Sequence, residues 1–203
     1  MTKSDHWNRV YDEKAHEDVS WFQSHPWVSL AAIDRHVART EDAFIDIGGG
    51  ESLLIDHLAA RGWTDLTVLD ISASALAVAK QRIGAQAATM EWIIADITRW
   101  QPERQYDVWH DRAVFHFLTE RNQRSAYRRA ILKGTRTGSI VIMATFAPDG
   151  PEQCSGLAVE RYDSKALSIE LGSSFILLED WRELHETPWG SRQNFNWCVF
   201  RRA

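Results

Sequence analysis

Phe44-Ile45-Asp46-Ile47-Gly48-Gly49-Gly50-Glu51-Ser52 runs from a short strand pattern through three successive glycines into the helix pattern Leu53, Leu54, Ile55, Leu58. This predicts a strand over Ala43–Ile47, a glycine turn, and a helix over Ser52–Ala60 stopped by Gly62. The alternation continues downstream. Leu66–Leu69 predicts a second strand, Ala73–Ile83 a helix ended by Gly84, Trp92–Ala95 a third strand and Asp107–His110 a fourth. A helix over 120–133 leads to the apolar run Ser139–Phe146, expected at the centre of a sheet. Tyr162–Leu171 predicts another helix, and Phe175–Leu178 and Phe195–Phe200 the last two strands.

Such alternation implies an α/β fold: a mostly parallel sheet with helices on both faces. Ligands then sit beyond the carboxyl ends of the strands, near the point where strand order reverses. Upstream, residues 6–40 read as helical. Trp7, Val10 and Tyr11 share one face, and Val28, Leu30, Ala31, Ile33 and Val37 belong to a second helix with Pro26 in its first turn. Residues 1–40 are expected to be a helical lid and 41–203 the core of a single domain.

Bulk properties narrow the function. With 44% hydrophobic and 25% charged residues the composition is ordinary for a globular chain. No run approaches the ~20 apolar residues of a bilayer span, and Met1-Thr2-Lys3-Ser4-Asp5-His6-Trp7 lacks a secretory apolar stretch. No membrane partner and a cytoplasmic location are expected. A net charge of −5 argues against a nucleic-acid partner, and Arg121, Arg124, Arg128, Arg129 and Lys133 read as the wet face of a helix. Two cysteines, Cys154 and Cys198, supply neither a disulfide framework nor a cysteine-based zinc site; no metal is expected. Ten tryptophans suggest that several line a pocket.

Three observations narrow the ligand of the glycine turn. A dinucleotide fingerprint needs glycine where Leu53 stands, a Gly-Lys-Ser/Thr ending is missing, and Glu51 at the helix entrance would repel a diphosphate. Asp70 ends the second strand, 24 residues beyond Asp46, where a carboxylate accepts ribose hydroxyls. Asp96, closing the third strand, suits an adenine amine, with neighbouring apolar residues covering the ring.

The ordered runs Phe44 to Ser52, Val68-Leu69-Asp70-Ile71-Ser72 and Ala95-Asp96-Ile97 resemble the motifs of class I S-adenosylmethionine-dependent methyltransferases. The resemblance is clearest over residues 40–146. It implies a Rossmann-like seven-stranded sheet with an antiparallel last strand at Phe195–Phe200 and S-adenosyl-L-methionine as cofactor. It places Asp46, Gly48, Gly49 and Gly50 beside the methionine part, Asp70 and Ile71 at the ribose, and Asp96 and Ile97 at the adenine. Trp7 and Tyr11 of the lid complete the expected cofactor contacts. Ser52 departs from the family pattern, where many members carry a last glycine.

The methyl acceptor is sought at the end of the fourth strand, where His110, Asp111, Arg112 and His116 crowd among Trp109, Phe115 and Phe117. These four polar residues are the candidate catalytic groups. Asp111-Arg112-Ala113 resembles small-molecule S-methyltransferases of the thiopurine type. Trp7-Asn8-Arg9-Val10-Tyr11 with Trp21-Phe22 resembles lysine methyltransferases of elongation factors and citrate synthase, which usually carry Asp-Lys-Gly where this chain has Asp111-Arg112-Ala113.

A thiol with pKa near ~8.5 needs little base catalysis, whereas a lysine near ~10.4 must first lose its proton. Arg112 or a protonated histidine is suited to hold a thiolate. Asp111 with Trp109 and Phe115 is suited to cage a lysine, and His116 or His185 to act as base for hydroxyl or nitrogen acceptors. Pro148–Gly156 is expected to form the opposite wall, Arg161 and Tyr162 to bind an anion, and Cys154 to be either a soft contact or a plain loop residue. The expected function is methyl transfer to a small molecule with a soft nucleophile such as a thiol or selenol. A protein-lysine methyltransferase and a non-catalytic cofactor-binding partner are the alternatives.

Overall fold

A computed structural model describes residues 2–13 and 16–203. The chain runs α1 (Lys3–Glu13), α2 (Trp27–His36), β1 (Phe44–Ile47), α3 (Leu54–Ala60), β2 (Leu66–Asp70), α4 (Ala73–Ile83), β3 (Glu91–Ile94) and β4 (Tyr106–Arg112). It continues with α5 (Arg121–Gly134), β5 (Thr135–Phe146), a small hairpin of β6 (Gln153–Cys154) and β7 (Leu157–Ala158), α6 (Ser164–Leu171), β8 (Phe175–Glu186) and β9 (Arg192–Arg202). Seven strands form one sheet in the order β3-β2-β1-β4-β5-β9-β8. Strands β1 to β5 pair in parallel, while β9 runs antiparallel to both β5 and β8. Strand order therefore reverses between β1 and β4, and a crevice opens beyond their carboxyl ends.

The register explains how both faces are covered. Phe44 pairs with Val108, and Ile45 with Trp109. Alternate residues thus point to opposite faces. Ile45, Trp109, Val141, Tyr127 and Leu167 fill one apolar layer, and Phe44, Val108, Ile142, Leu30 and Leu58 the other. Local chemistry sets the helix starts. Ser72 accepts from the Ala75 amide at α4, Asp163 from Ala166 at α6, and Glu120 with Gln123 forms a capping box at α5.

The expected fold is the observed one, with displaced boundaries. The last two strands form a hairpin far longer than their apolar runs, because β8 lies at the sheet edge and alternates exposed residues with half-buried or buried ones. Its charged positions, such as Glu179 and Arg182, break an apolar run without breaking a strand. Helix α3 begins at Leu54 rather than Ser52, whose hydroxyl accepts from the Leu54 amide in the turn. Pro26 lies just before α2 rather than inside its first turn. Among the described residues no helix is long and apolar enough to cross a membrane, and no cluster of His, Cys, Asp and Glu is arranged to hold a metal.

Candidate functional site

The glycine turn is left-handed at two points, Gly48 at φ 68° and Gly50 at φ 45°, where a side chain costs roughly 1 kcal/mol or more. Space forbids one as well. A Cβ on Gly48 would stand 2.1 Å from Val114, and one on Gly50 2.6 Å from the Tyr11 hydroxyl. The amides of Gly48 and Gly49 both donate to the Leu69 carbonyl, at 2.6 and 3.3 Å. Those donors are spent on the sheet, so the turn does not form a phosphate cradle. An adenosine ligand carrying hydroxyls, an amine and a positive sulfonium needs acceptors instead.

Acceptors are what the crevice offers. A cavity of about 110 Å³ is walled by Gly48, Asp70, Ile71, Asp96 and Ile97 on one side and by Arg112, Val114 and Phe117 on the other. Trp7, Tyr11 and Trp21 close it from above. Asp70 is buried and accepts from the Ser72 amide at 2.8 Å. Burial dominates its titration and lifts its carboxyl to about 7, against the pull of the backbone amides around it. One carboxylate oxygen of Asp96 accepts from the Thr98 amide and hydroxyl, and the carboxylate has no other hydrogen bond among the described residues. Trp7 packs against Tyr11, Trp21 and Phe117, with ring centroids 5.1 to 6.4 Å apart.

Asp46 stands behind this wall. Its carboxylate bonds His110 Nδ1 at 2.7 Å, and His110 Nε2 bonds the Ser29 hydroxyl at 3.0 Å. Both ring nitrogens are engaged, so His110 braces Asp46 instead of offering a free base. Gly49, Asp46 and His110 line a second, smaller cavity of about 50 Å³ that also touches Gly48, Trp21 and Arg112.

At the end of β4 the chain bends sharply through Ala113, a non-glycine residue at φ 71°, which costs on the order of 1 kcal/mol. Asp111 holds the bend. It is fully buried and accepts from the amides of Val114 and Phe115, at 2.9 and 3.3 Å, and from the Tyr127 hydroxyl at 2.6 Å. The bend presses Val114 onto Gly48 and brings Arg112 to the cavity. Arg112 Nη1 donates to the Trp21 carbonyl at 3.0 Å and its guanidinium lies over the Phe195 ring. Its Nε and Nη2 are buried without a hydrogen-bond partner.

The other candidates lie elsewhere. Asp111, expected to be catalytic, does not reach the cavity, and the proposed cage fails with it, since Trp109 and Phe115 belong to the apolar core. His116 is also outside the cavity lining; its Nδ1 accepts from the Phe146 amide, and burial first, then Arg112, lowers it to about 3. His185 Nε2 is bonded to the Ser20 carbonyl, and burial lowers its pKa. Arg161 pairs with Glu152, and Tyr162 is core, so neither forms the expected anion site. Cys154 of the β6–β7 hairpin does line the cavity. Phe117, named with the acceptor segment, does line the wall, while two contributors were not singled out in the sequence: Val114 in the wall, and Arg82, whose guanidinium clasps the Glu51 and Ser52 carbonyls. Arg82 sits in the last turn of an ordinary helix, and nothing local marks it.

A family model described as a methyltransferase domain matches residues 44–133. The chain is 24% identical over 165 residues to a malonyl-[acyl-carrier protein] O-methyltransferase of Ilyobacter polytropus, covering 76% of this chain and 61% of that protein. It thus spans about three fifths of that relative's length. Among solved structures it is similar to a SAM-dependent methyltransferase from Anabaena variabilis, with TM-score 0.78, 14% identity, and 100% and 96% of the two chains covered. It is also similar to the N-methyltransferase NodS from Bradyrhizobium japonicum in complex with S-adenosyl-L-homocysteine, with TM-score 0.71, 15% identity, and 96% and 97% covered. The fold is the class I methyltransferase fold, and the motif resemblance and the family model fall on the same strands.

Proposed function

We propose that this protein transfers a methyl group from S-adenosyl-L-methionine to a small-molecule acceptor whose nucleophile is already anionic, or nearly so, at neutral pH. The observation that carries this is the meeting, in one cavity, of Gly48, Asp70 and Asp96 with Arg112. When bound, the cofactor supplies a methyl group activated on a sulfonium. Asp70 accepts the ribose hydroxyls, Asp96 the adenine amine, and Ile71 and Ile97 give the ring apolar contact. Trp7, Tyr11 and Trp21 exclude water from the reacting groups. Sites for ligands of this size are on the order of 300–1,000 Å³; the cavity here is about 110 Å³, so it has to widen to admit one.

The acceptor class follows from which bases are missing. No histidine lines the cavity among the described residues, and Tyr11 is held well above the usual phenol range, first by burial and then by Asp70 and Glu51. A thiol, selenol or carboxylic acid needs little or no help in losing its proton, and the Ilyobacter relative is named for methylation at oxygen. A lysine acceptor would lack the Trp109–Phe115 cage. Incubation with S-adenosylmethionine and a panel of thiols, selenols, carboxylic acids, phenols and amines, read by mass spectrometry, should yield methylated thiol, selenol or acid. Transfer into lysate protein alone would instead establish the lysine reading.

A further inference from the structure

Arg112 is supplied with fewer partners than its charge requires. A guanidinium has five N–H donors in a rigid planar fork. Here Nη1 reaches the Trp21 carbonyl, the Phe195 ring lies against the cation, and Nε and Nη2 are shut from solvent with nothing to donate to. No ion pair to Arg112 occurs among the described residues. Glu183 is close enough for its charge to act on the guanidinium, but it already accepts from Trp197 Nε1 at 2.5 Å and from Gln23 Nε2 at 3.3 Å. Unmet donors on a buried cation are costly, so the site is incomplete without an anion. Nε and Nη2 share one edge of the guanidinium, the edge that takes both oxygens of a carboxylate side by side.

We propose that the acceptor carries a carboxylate and that the Nε–Nη2 edge of Arg112 receives it; this rests on the methyl-transfer reading above. Arg112 borders both cavities, with Trp7, Trp21 and Phe117 in the walls of the larger one. A flat apolar body bearing one carboxylate matches that lining. The strained bend at Ala113 and the Asp111 brace hold the guanidinium there in advance of binding, which lowers the entropic cost of capture. The cofactor's own methionine carboxylate is the other source of the same chemistry.

Titration calorimetry separates the two, with benzoate and benzamide as probes, on the protein alone and on protein saturated with S-adenosylhomocysteine. Benzoate should bind at least about tenfold more tightly than benzamide. Arg112→Gln should erase that preference, Arg112→Lys should keep part of it, and the affinity for S-adenosylhomocysteine should change less than about threefold in Arg112→Gln. Equal binding of the two probes, or no binding of benzoate, overturns the proposal. So does a larger loss of S-adenosylhomocysteine affinity in Arg112→Gln, which would assign the guanidinium to the cofactor. The probe comparison on the unaltered protein decides the matter even if a variant fails to fold. Failure of the methyl-transfer reading looks different: S-adenosylhomocysteine gives no binding heat, while benzoate still discriminates.

Discussion

The ends of β1 and β4 lie side by side in the sheet, and each is followed by a dense run of unusual residues. They use those residues differently. After β1, Gly48, Gly49 and Gly50 remove side chains so that the backbone can turn under Val114 and Tyr11, and Asp46 is held in reserve by His110. After β4, the polar residues are mostly consumed in building the bend itself. Asp111 accepts three hydrogen bonds, His116 accepts one from the β5 backbone, and Arg112 lines the cavity with two buried donors left unpaired among the described residues. A cluster of polar residues therefore marks a place where the backbone needs bracing as readily as a place where chemistry occurs.

The strongest way to break this contrast is to remove the brace. Asp111→Ala orphans the Tyr127 hydroxyl and two amides in a fully buried setting, which should cost about 3–5 kcal/mol. For a chain of this size that lowers Tm by roughly 10 °C, measured by calorimetry. Asp111→Asn should recover part of the loss, because its amide oxygen still accepts from the backbone. A Tm within ~2 °C of the parent, together with lost turnover, would make the end of β4 a chemical site instead of a structural one.

The same contrast explains what the amino-acid sequence made legible. Strand-end aspartates and glycines declare themselves because their spacing is set by the α/β repeat, and Asp70 and Asp96 duly meet Gly48 at one cavity. The side to which a residue points after a bend is not periodic. Trp109 and Phe115 looked like cage residues and are core, because the core face of β4 ends at Trp109 and the Ala113 turn sends Phe115 back to it. The long β8–β9 hairpin hid for a related reason: an edge strand shows alternation interrupted by charge, not an apolar run.

At the end of β2 the expectation is the reverse of that for Asp111. Asp70→Ala should weaken S-adenosylhomocysteine binding by about 1.5–3 kcal/mol, through loss of charge-assisted hydrogen bonds to the ribose. Burial already penalises this carboxylate in the free protein, so the same substitution should leave Tm unchanged or raise it at pH 8. Loss of stability without loss of affinity would turn Asp70 into a second brace and dissolve the distinction between the two regions.

A smaller effect sharpens that distinction by pH. The Asp70 carboxyl titrates near 7 in the folded chain against 3.8 for an unperturbed group, and Asp111 near 6. The folded state thus binds protons that the unfolded state has released between about pH 4 and 7. Both groups contribute stability at the acid end of that window and lose it as pH rises. If Asp70 takes the ribose as proposed, the ribose hydroxyls donate to the ionised carboxylate, and cofactor binding should pull that pKa down and expel a proton. Affinity should fall by up to about tenfold for each pH unit below 7, close to 1.4 kcal/mol, and be flat above it. Titration calorimetry in buffers of different ionisation heat would register the released proton at pH 6 and not at pH 8.5. Asp111 lies outside the cavity lining, so Asp111→Asn should leave this profile in place while Asp70→Asn abolishes it. A profile that moved with Asp111 instead would mean that the brace and the binding site titrate as one unit.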